Sequence, residues 1–134
     1  MSVRAFIDTN VLVYTVTEHD PRRMRAIELL AEGGVVSVQV LNEFADVMRR
    51  RYRRDVAEIT FALDRFVALL DPPIPLTHEL HRAALDIVGR YGFRIYDSLI
   101  IAAARQSGCN VLYTEDLQGG QTIDGLVVRN PFAP

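Results

Sequence analysis

The hydrophobic positions of this chain form two patterns, short apolar runs and longer stretches of helical periodicity. Four runs rich in β-forming residues predict strands: Val3–Ile7, Val35–Val38, Asn110–Thr114 and Gly125–Arg129. Caps and apolar stripes predict six helices, which begin near Val11 and Pro21 and then cover Gln39–Tyr52, Asp55–Leu70, a segment capped by Thr77, and Ile95–Ser107. A Gly-rich loop is predicted over Gln118–Gln121.

This order of elements predicts the fold class. Strands separated by helices are typical of βαβ units, in which the strands are parallel and helices cover the sheet. We therefore expect an α/β fold of three layers, α/β/α, with a central, mainly parallel sheet flanked by helices. The chain has 134 residues, 49% of them hydrophobic, and these values predict a single domain over residues 1–134.

Composition excludes several classes of protein. All 15 basic residues are arginine, so mechanisms that need a Schiff-base or phosphate-loop lysine have no residue to use. The net charge of −2 argues against coating nucleic acid by bulk charge, and any such contact needs a local basic patch. The single cysteine, Cys109, cannot form an intramolecular disulfide. The longest apolar run, Leu99–Ala104, is far shorter than a membrane span, so we expect a cytoplasmic protein without membrane contact.

Four acidic residues are predicted to meet at one edge of the sheet. Asp8 directly follows the first strand, and Asp116 follows Thr114, the end of a later strand, by two residues. Glu43 lies one turn into the helix after the second strand, and Asp97 lies in the first turn of the most apolar helix. Each acid alone is explained by capping, a turn or a solvated helix face. Their convergence where the parallel strands end favours a ligand site.

The chemistry of such a cluster points to a divalent cation. Crowded carboxylates raise one another's pKa, and a cation relieves this repulsion. Oxygen ligands without histidine or cysteine are typical of Mg²⁺ or Mn²⁺. Two such ions about 3.5–4 Å apart would activate a water and stabilise the leaving oxygen of a phosphodiester displacement. The acidic residues therefore predict a nuclease.

Four segments resemble, in their order and spacing, the PIN domain family and within it the VapC toxins of toxin–antitoxin pairs. They are Phe6–Leu12, Asn42–Phe44, Tyr96–Ala104 and Tyr113–Leu117. The resemblance implies a metal-dependent endoribonuclease that cleaves RNA, usually as a homodimer. It also implies a cognate VapB-like antitoxin that covers the site and holds the enzyme inactive.

The resemblance also assigns residues to the site. It implies that the catalytic and metal-binding residues, with Mg²⁺ or Mn²⁺ as cofactor, are Asp8, Glu43, Asp97 and Asp116. Polar positions that would orient carboxylates or water are Thr9, Asn10 and Thr114, and Ser98 adjoins Asp97. The family pattern T-x-D selects Asp116 over its neighbour Glu115. Asp124 is either a further acid near the site or an ordinary turn residue.

An arginine-rich segment follows the third predicted helix. Five of six consecutive residues are basic: Arg49, Arg50, Arg51, Arg53 and Arg54. They complement the helix dipole and solvate the surface, or they contact RNA phosphates or the antitoxin.

Four other functions compete with a toxin nuclease. An aspartyl-phosphate receiver needs a lysine, and a dehalogenase-type phosphatase needs an aspartate where Asn10 stands. A catalytically silent, RNA-binding protein of PIN fold and a housekeeping RNA-processing enzyme both remain open. The presence of all four acids favours an active enzyme over the silent protein.

Overall fold

The computed structural model describes residues 3–117 and 119–133 of the chain. Within these residues the elements follow in the order β1 (Ala5–Ile7), α1 (Thr9–Thr15), α2 (Arg23–Ala31), α3 (Val38–Arg50), α4 (Val56–Leu69), α5 (His78–Tyr91), α6 (Ile95–Gln106), β2 (Val111–Tyr113), β3 (Thr122–Ile123) and β4 (Leu126–Arg129). Gln118, the first residue of the predicted Gly-rich loop, lies outside the described residues.

The strands form one sheet in the order β1-β2-β4-β3. Strand β2 pairs in parallel with β1 and with β4, and β3 pairs with β4 in the antiparallel direction. Ile7 and Tyr113, the last residues of β1 and β2, are level with each other, so the two strands end at the same edge. This central, mostly parallel sheet among helices confirms the predicted α/β fold class.

The predicted strand Val35–Val38 was wrong. Only isolated parallel bridges form here, one at Val35 and one at Ser37. The strand is cut short because the Ser37 hydroxyl accepts the Val40 N–H (3.2 Å) and so caps α3, which begins one residue after the serine. The short apolar run therefore leads directly into a helix, and Glu43 lies in the second turn of that helix.

Strand β3 was not predicted. The turn expected before the last strand is a hairpin, in which Ile123 pairs with Leu126. Asp124 and Gly125 form its turn, and both have positive φ angles, 48° and 87°. A strand of two residues is too short to produce an alternating pattern, which explains why the sequence did not reveal it.

The helix ends follow local chemistry. Helix α4 begins with a capping box, in which the Asp55 side chain accepts the Glu58 N–H and the Glu58 side chain accepts the Asp55 N–H. Helix α5 begins at the cap Thr77 and ends at Gly92, whose left-handed φ of 75° favours glycine. Residues 98–104 of α6 are all buried, which confirms the prediction of a helix enclosed on nearly all sides.

Apolar side chains from all six helices and from the sheet form a single core. Helix α1 packs against α2 and α3, α3 packs against α4 and α6, and α5 packs against α6. The contacts of α3 with α1 and with α6 bring the helices that carry Glu43 and Asp97 together beside the end of β1. Among the described residues, no helix is both long and apolar enough to cross a membrane.

Candidate active site

The ends of two parallel strands place Asp8 beside Thr114. Because Ile7 and Tyr113 are level, the next residue of each strand lies at the same edge of the sheet. The Asp8 N–H donates to the Tyr113 carbonyl (3.1 Å) and so extends the pairing past β1. The Thr114 hydroxyl then donates to Asp8 Oδ2 at 2.6 Å. Residues more than a hundred positions apart are thus joined by the sheet register.

Asp8 is both the cap of α1 and the most buried acid of this edge. Its side chain belongs to a residue only 4% exposed, and Oδ1 accepts the Thr9 N–H at 2.7 Å. Burial raises the pKa of Asp8 to about 6. The hydrogen bonds from Thr114 and Thr9 oppose that rise, while the charges of Asp116 and Asp97 add to it. The two explanations considered for Asp8, capping and site chemistry, are therefore compatible.

Glu43 reaches the same edge from α3. Burial raises its pKa to about 7, and the next contribution is the charge of Asp8. A hydrogen bond from Gln39, one turn earlier on the helix, lowers the pKa, while Asp97 and Asp116 raise it. Glu43 Oε2 is buried and has no hydrogen-bond partner among the described residues. One carboxylate oxygen is thus withdrawn from water without a donor to replace it.

Asp97 and Asp116 complete the group. Asp97 is half-buried in the first turn of α6, and its pKa is raised by burial, lowered by the charge of Arg94 and raised by the charge of Asp116. Asp116 is exposed, and its N–H donates to the Thr114 hydroxyl at 3.0 Å. The same hydroxyl donates to Asp8, so Thr114 ties the backbone of one acid to the side chain of another.

The other predicted polar residues differ in how they are bonded. The Thr9 hydroxyl donates to the Val40 carbonyl at 3.5 Å, so its side chain contacts α3 and does not orient a carboxylate. Asn10 Oδ1, Asn10 Nδ2 and Ser98 Oγ are buried without hydrogen-bond partners among the described residues. Buried polar atoms are nearly always satisfied, so these three groups indicate that the edge accommodates polar ligands.

These residues suit a hard divalent cation. The donors are carboxylate, amide and hydroxyl groups, and burial together with neighbouring negative charges raises the pKa of Asp8 and Glu43. Within residues 3–117 and 119–133, no three His, Cys, Asp or Glu side chains are grouped closely enough to hold a metal by themselves. Magnesium is compatible with this spacing, because it usually keeps several waters and takes only one or two carboxylates directly.

Two further acids do not join the group. The Glu115 carboxylate is engaged by the Tyr14 hydroxyl and by Arg22. Asp124, considered above as a further acid, is paired with Arg90 at 2.9 Å and Arg105 at 3.0 Å. The pKa of Asp124 is below its usual value. The hydrogen bond from Arg90 is the largest cause, and the charges of Arg105 and Arg90 also lower this pKa.

The arginine segment lies at the other end of α3 from its capped start. All five side chains are exposed: Arg49, Arg50, Arg51, Arg53 and Arg54. Two of them form exposed ion pairs, Arg50 with Asp46 (3.0 Å) and Arg54 with Glu58 (3.5 Å). The segment is thus surface, and no contact in the described part of the chain joins it to the acids.

The sequence analysis did not identify two residues that lower the pKa of acids in this group. Gln39 precedes Glu43 by four positions and Arg94 precedes Asp97 by three. On a helix these separations put side chains on one face, so the spacing was a usable signal. The effect of Arg94 on the pKa of Asp97 also requires α6 to begin directly after Arg94. The apolar pattern alone does not predict that helix start.

Comparisons with known proteins agree with this geometry. A family model described as the PIN domain matches residues 5–118. The sarcin-ricin loop cleaving toxin VapC20 of Mycobacterium tuberculosis is 23% identical, with a TM-score of 0.68 over 84% of this chain and 89% of its own. A toxin–antitoxin complex from Klebsiella pneumoniae gives 18% identity and a TM-score of 0.71, over 96% of this chain and 98% of that chain.

DNA-bound VapBC from Salmonella typhimurium is also similar, with 18% identity and a TM-score of 0.67 over 96% of this chain and 98% of its own. At these identities the likeness is one of fold. No curated protein matches the chain by sequence.

Proposed function

Because the chain belongs to the PIN domain family, we propose that it is a divalent-metal-dependent endoribonuclease and the toxin of a toxin–antitoxin pair. The observation that carries the proposal is the meeting of Asp8, Glu43, Asp97 and Asp116. These acids come from four segments, and after burial the charge of Asp116 contributes to raising the pKa of the other three. RNA as substrate is supported by the fold shared with a sarcin-ricin loop cleaving toxin. The proposal treats residues 1–134 as one nuclease domain.

The four acids are the residues that would hold Mg²⁺ or Mn²⁺, one or two of them directly and the others through waters of the ion. When bound, such an ion supplies positive charge that offsets the carboxylates, and it supports attack of water on a phosphodiester. Thr114 keeps Asp8 fixed through its 2.6 Å hydrogen bond, and the α1 cap fixes the other oxygen of that carboxylate. Gln39, one turn earlier on α3, lowers the pKa of Glu43 and so favours its charged form. These restraints pre-orient the acids before substrate arrives, which lowers the reorganisation needed during reaction.

Asn10 and Ser98 have side chains free to act on substrate or water. Their polar atoms are buried and have no hydrogen-bond partners in the described part of the chain. Asn10 carries both a donor and an acceptor, and Ser98 a hydroxyl of either kind. We assign to them the orientation of water and of phosphate oxygens beside the carboxylates.

The arginine segment supplies a candidate contact for RNA. Arg49 and Arg53 are exposed and form no ion pair among the described residues, unlike Arg50 and Arg54. Replacing both with glutamine is expected to weaken RNA binding and to reduce its salt dependence, because fewer counterions are released. The matched control is Arg82→Gln, which removes an exposed arginine from α5. Equal salt dependence in both variants would argue against this contact.

A protein partner is supported by apolar side chains on the outside of α4. Val56, Phe61 and Leu69 are exposed, Phe61 by 65%. Exposed apolar patches mark interaction surfaces. Two of the similar structures are a toxin–antitoxin complex and DNA-bound VapBC. We propose a VapB-like antitoxin that covers the acid site and contacts some of these side chains, and a homodimer of the toxin. Co-expression with the product of a neighbouring small gene tests the first, and sedimentation of the free chain tests the second.

The decisive experiment compares the wild type with Asp97→Asn on total cellular RNA. Both are freed of any co-purified partner and assayed with Mn²⁺, with Mg²⁺ and with EDTA. We expect metal-dependent cuts that Asp97→Asn reduces by about a thousandfold or more, because several kcal/mol of charge stabilisation are lost. Equal cutting by both proteins would show that the activity does not arise at this site. No cutting by either, on RNA that includes the host's own transcripts, would favour the silent RNA-binding protein.

A further inference from the structure

The segment that carries Asp116 is held through the neighbouring side chain of Glu115, which contacts Tyr14 and Arg22. Glu115 stands between Thr114 and Asp116, and its carboxylate accepts a hydrogen bond from the Tyr14 hydroxyl of α1. Arg22 Nη1 lies 3.3 Å and 3.4 Å from the two oxygens of the same carboxylate. The Glu115 side chain is only 22% exposed, so these contacts are partly shielded from solvent.

The two partners of Glu115 are themselves restrained. The Arg22 guanidinium lies 3.8 Å above the Tyr14 ring. It also forms two parallel bonds with Asp20, Nε to Oδ1 at 2.9 Å and Nη2 to Oδ2 at 2.8 Å. Tyr14 also contacts Phe132 in a T-shaped arrangement, with ring centroids 5.2 Å apart. Glu115 is therefore held by groups that have little freedom to move.

The three residues that follow β2 contact two different parts of the molecule. The side chain of Thr114 bonds Asp8 and the Asp116 N–H, while the side chain between them bonds Tyr14 and Arg22. The chain bends at Glu115 and Asp116, and Glu115 is bonded on both sides to Thr114 and Asp116, so holding its side chain limits the movement of both neighbours.

We infer that Tyr14, Arg22 and Glu115 are positioning residues, which hold Thr114 and Asp116 in place at the acid site. The inference rests on the proposed metal-dependent cleavage and deepens it. It also accounts for two adjacent acids after Thr114: Asp116 serves the site, and Glu115 holds the segment. Positioning of this kind, through groups that contact ligand residues without contacting the metal, typically changes metal affinity or activity by about 10–100-fold.

The test uses the full chain with Tyr14→Phe and Glu115→Gln, each of which removes one part of the anchor with little change of shape. Two measurements do not depend on cleavage: hydrogen exchange of the Asp116 amide without metal, and Mn²⁺ affinity by electron paramagnetic resonance. We expect faster exchange of that amide and about tenfold weaker Mn²⁺ binding in both variants. Together the two substitutions should cost little more than one, because they break the same contact.

The control is Glu28→Gln, which breaks an exposed ion pair with Arg25 and should change neither measurement. Arg22→Lys should retain more Mn²⁺ affinity than Arg22→Gln, because it keeps the charge facing Glu115. A lower melting temperature with unchanged amide exchange and unchanged Mn²⁺ affinity would overturn the inference, since the network would then only stabilise the fold. A wild type that binds no Mn²⁺ would overturn it as well.

The same experiment separates this inference from the proposed function. If Mn²⁺ binding weakens in the variants while the wild type cuts no RNA, the positioning role stands and the ribonuclease proposal fails. If the wild type cuts RNA and all variants match it in cleavage, exchange and affinity, the ribonuclease proposal stands and the positioning role fails.

Discussion

Two groups of carboxylates in this molecule are treated in opposite ways. At the end of β1 and β2, burial raises the pKa of Asp8 to about 6 and that of Glu43 to about 7. At the β3–β4 turn, hydrogen bonds and charges from Arg90 and Arg105 lower the pKa of Asp124. The chain has fifteen arginines to distribute, and it pairs two of them with the turn acid.

This difference indicates what each group is for. A surface carboxylate that is paired with arginine is already neutralised, and Asp124 links the hairpin to α5 and α6. Buried carboxylates without a cation are unfavourable in the folded chain and become favourable when positive charge arrives from outside. The raised pKa values therefore record a cost in stability that a bound metal ion would offset.

We expect the largest effect on cleavage and on stability from Glu43→Gln. This substitution removes one of the carboxylates whose pKa is raised. It should reduce metal-dependent cleavage by about a thousandfold or more, because a charged ligand is lost. Without metal at pH 7.5 it should stabilise the fold by about 1–2 kcal/mol, because a partly buried, repelled charge is removed. Cleavage assays and thermal melting in EDTA measure the two effects.

The matched control is Asp46→Asn, three residues further along the same helix. Asp46 is exposed and already paired with Arg50, so its replacement should leave cleavage intact and should not stabilise the metal-free protein. Loss of stability in Glu43→Gln without metal would contradict the view that this carboxylate is held at a cost.

The stability of the metal-free protein should fall as pH rises from about 4.5 to 7. Acids with raised pKa bind more protons in the folded than in the unfolded chain across this window, so unfolding becomes easier as pH increases. For Asp8 alone, a rise from an ordinary pKa of 3.8 to about 6 corresponds to about 3 kcal/mol. Denaturant unfolding at several pH values, with EDTA and with Mg²⁺, measures the dependence.

Saturating Mg²⁺ should flatten this dependence, and Glu43→Gln should reduce it without metal. Acids with lowered pKa, such as Asp124, contribute the opposite slope only below about pH 4, where they become protonated. A metal-free protein whose stability rises between pH 4.5 and 7 would show that the buried, mutually repelling acids do not control how stability depends on pH.

The smallest effect is expected for Asp124→Asn, which tests the ion-paired carboxylate at the β3–β4 turn. It should lower the melting temperature slightly, in a way that high salt diminishes, because exposed ion pairs are screened. Cleavage and metal affinity should be unchanged. A large loss of cleavage would mean that Asp124 belongs functionally with the other acids, despite its two arginines.

The four acids could be predicted because their positions depend on local pattern. Asp8 ends an apolar run, Asp97 begins an apolar helix, and parallel strands bring such ends to one edge. The strand predicted at Val35–Val38 failed for a local reason as well: the cap Ser37 and the helix after it compete for the same few residues. Apolar content alone does not decide that competition.

The side-chain contacts around the site that join distant residues could not be predicted from the sequence. The hydrogen bond from Tyr14 to Glu115 joins residues 101 positions apart, and no periodicity records it. The same holds for the two arginines on Asp124, since a turn residue and a residue held by ion pairs look alike in sequence. Such pairs arise from tertiary packing, in which side chains of separate elements meet only after the sheet has formed.

The pairing of β1 with β2 has a consequence for synthesis of the chain. Ala5–Ile7 emerges from the ribosome before its neighbour Val111–Tyr113, which is made after more than a hundred further residues. Thr114 and Asp116 follow still later, so a polypeptide that ends before residue 114 lacks one of the four acids and the threonine that bonds Asp8. If the chain is the proposed ribonuclease, fragments that end before residue 110 are expected to cut no RNA, because they lack Thr114 and Asp116.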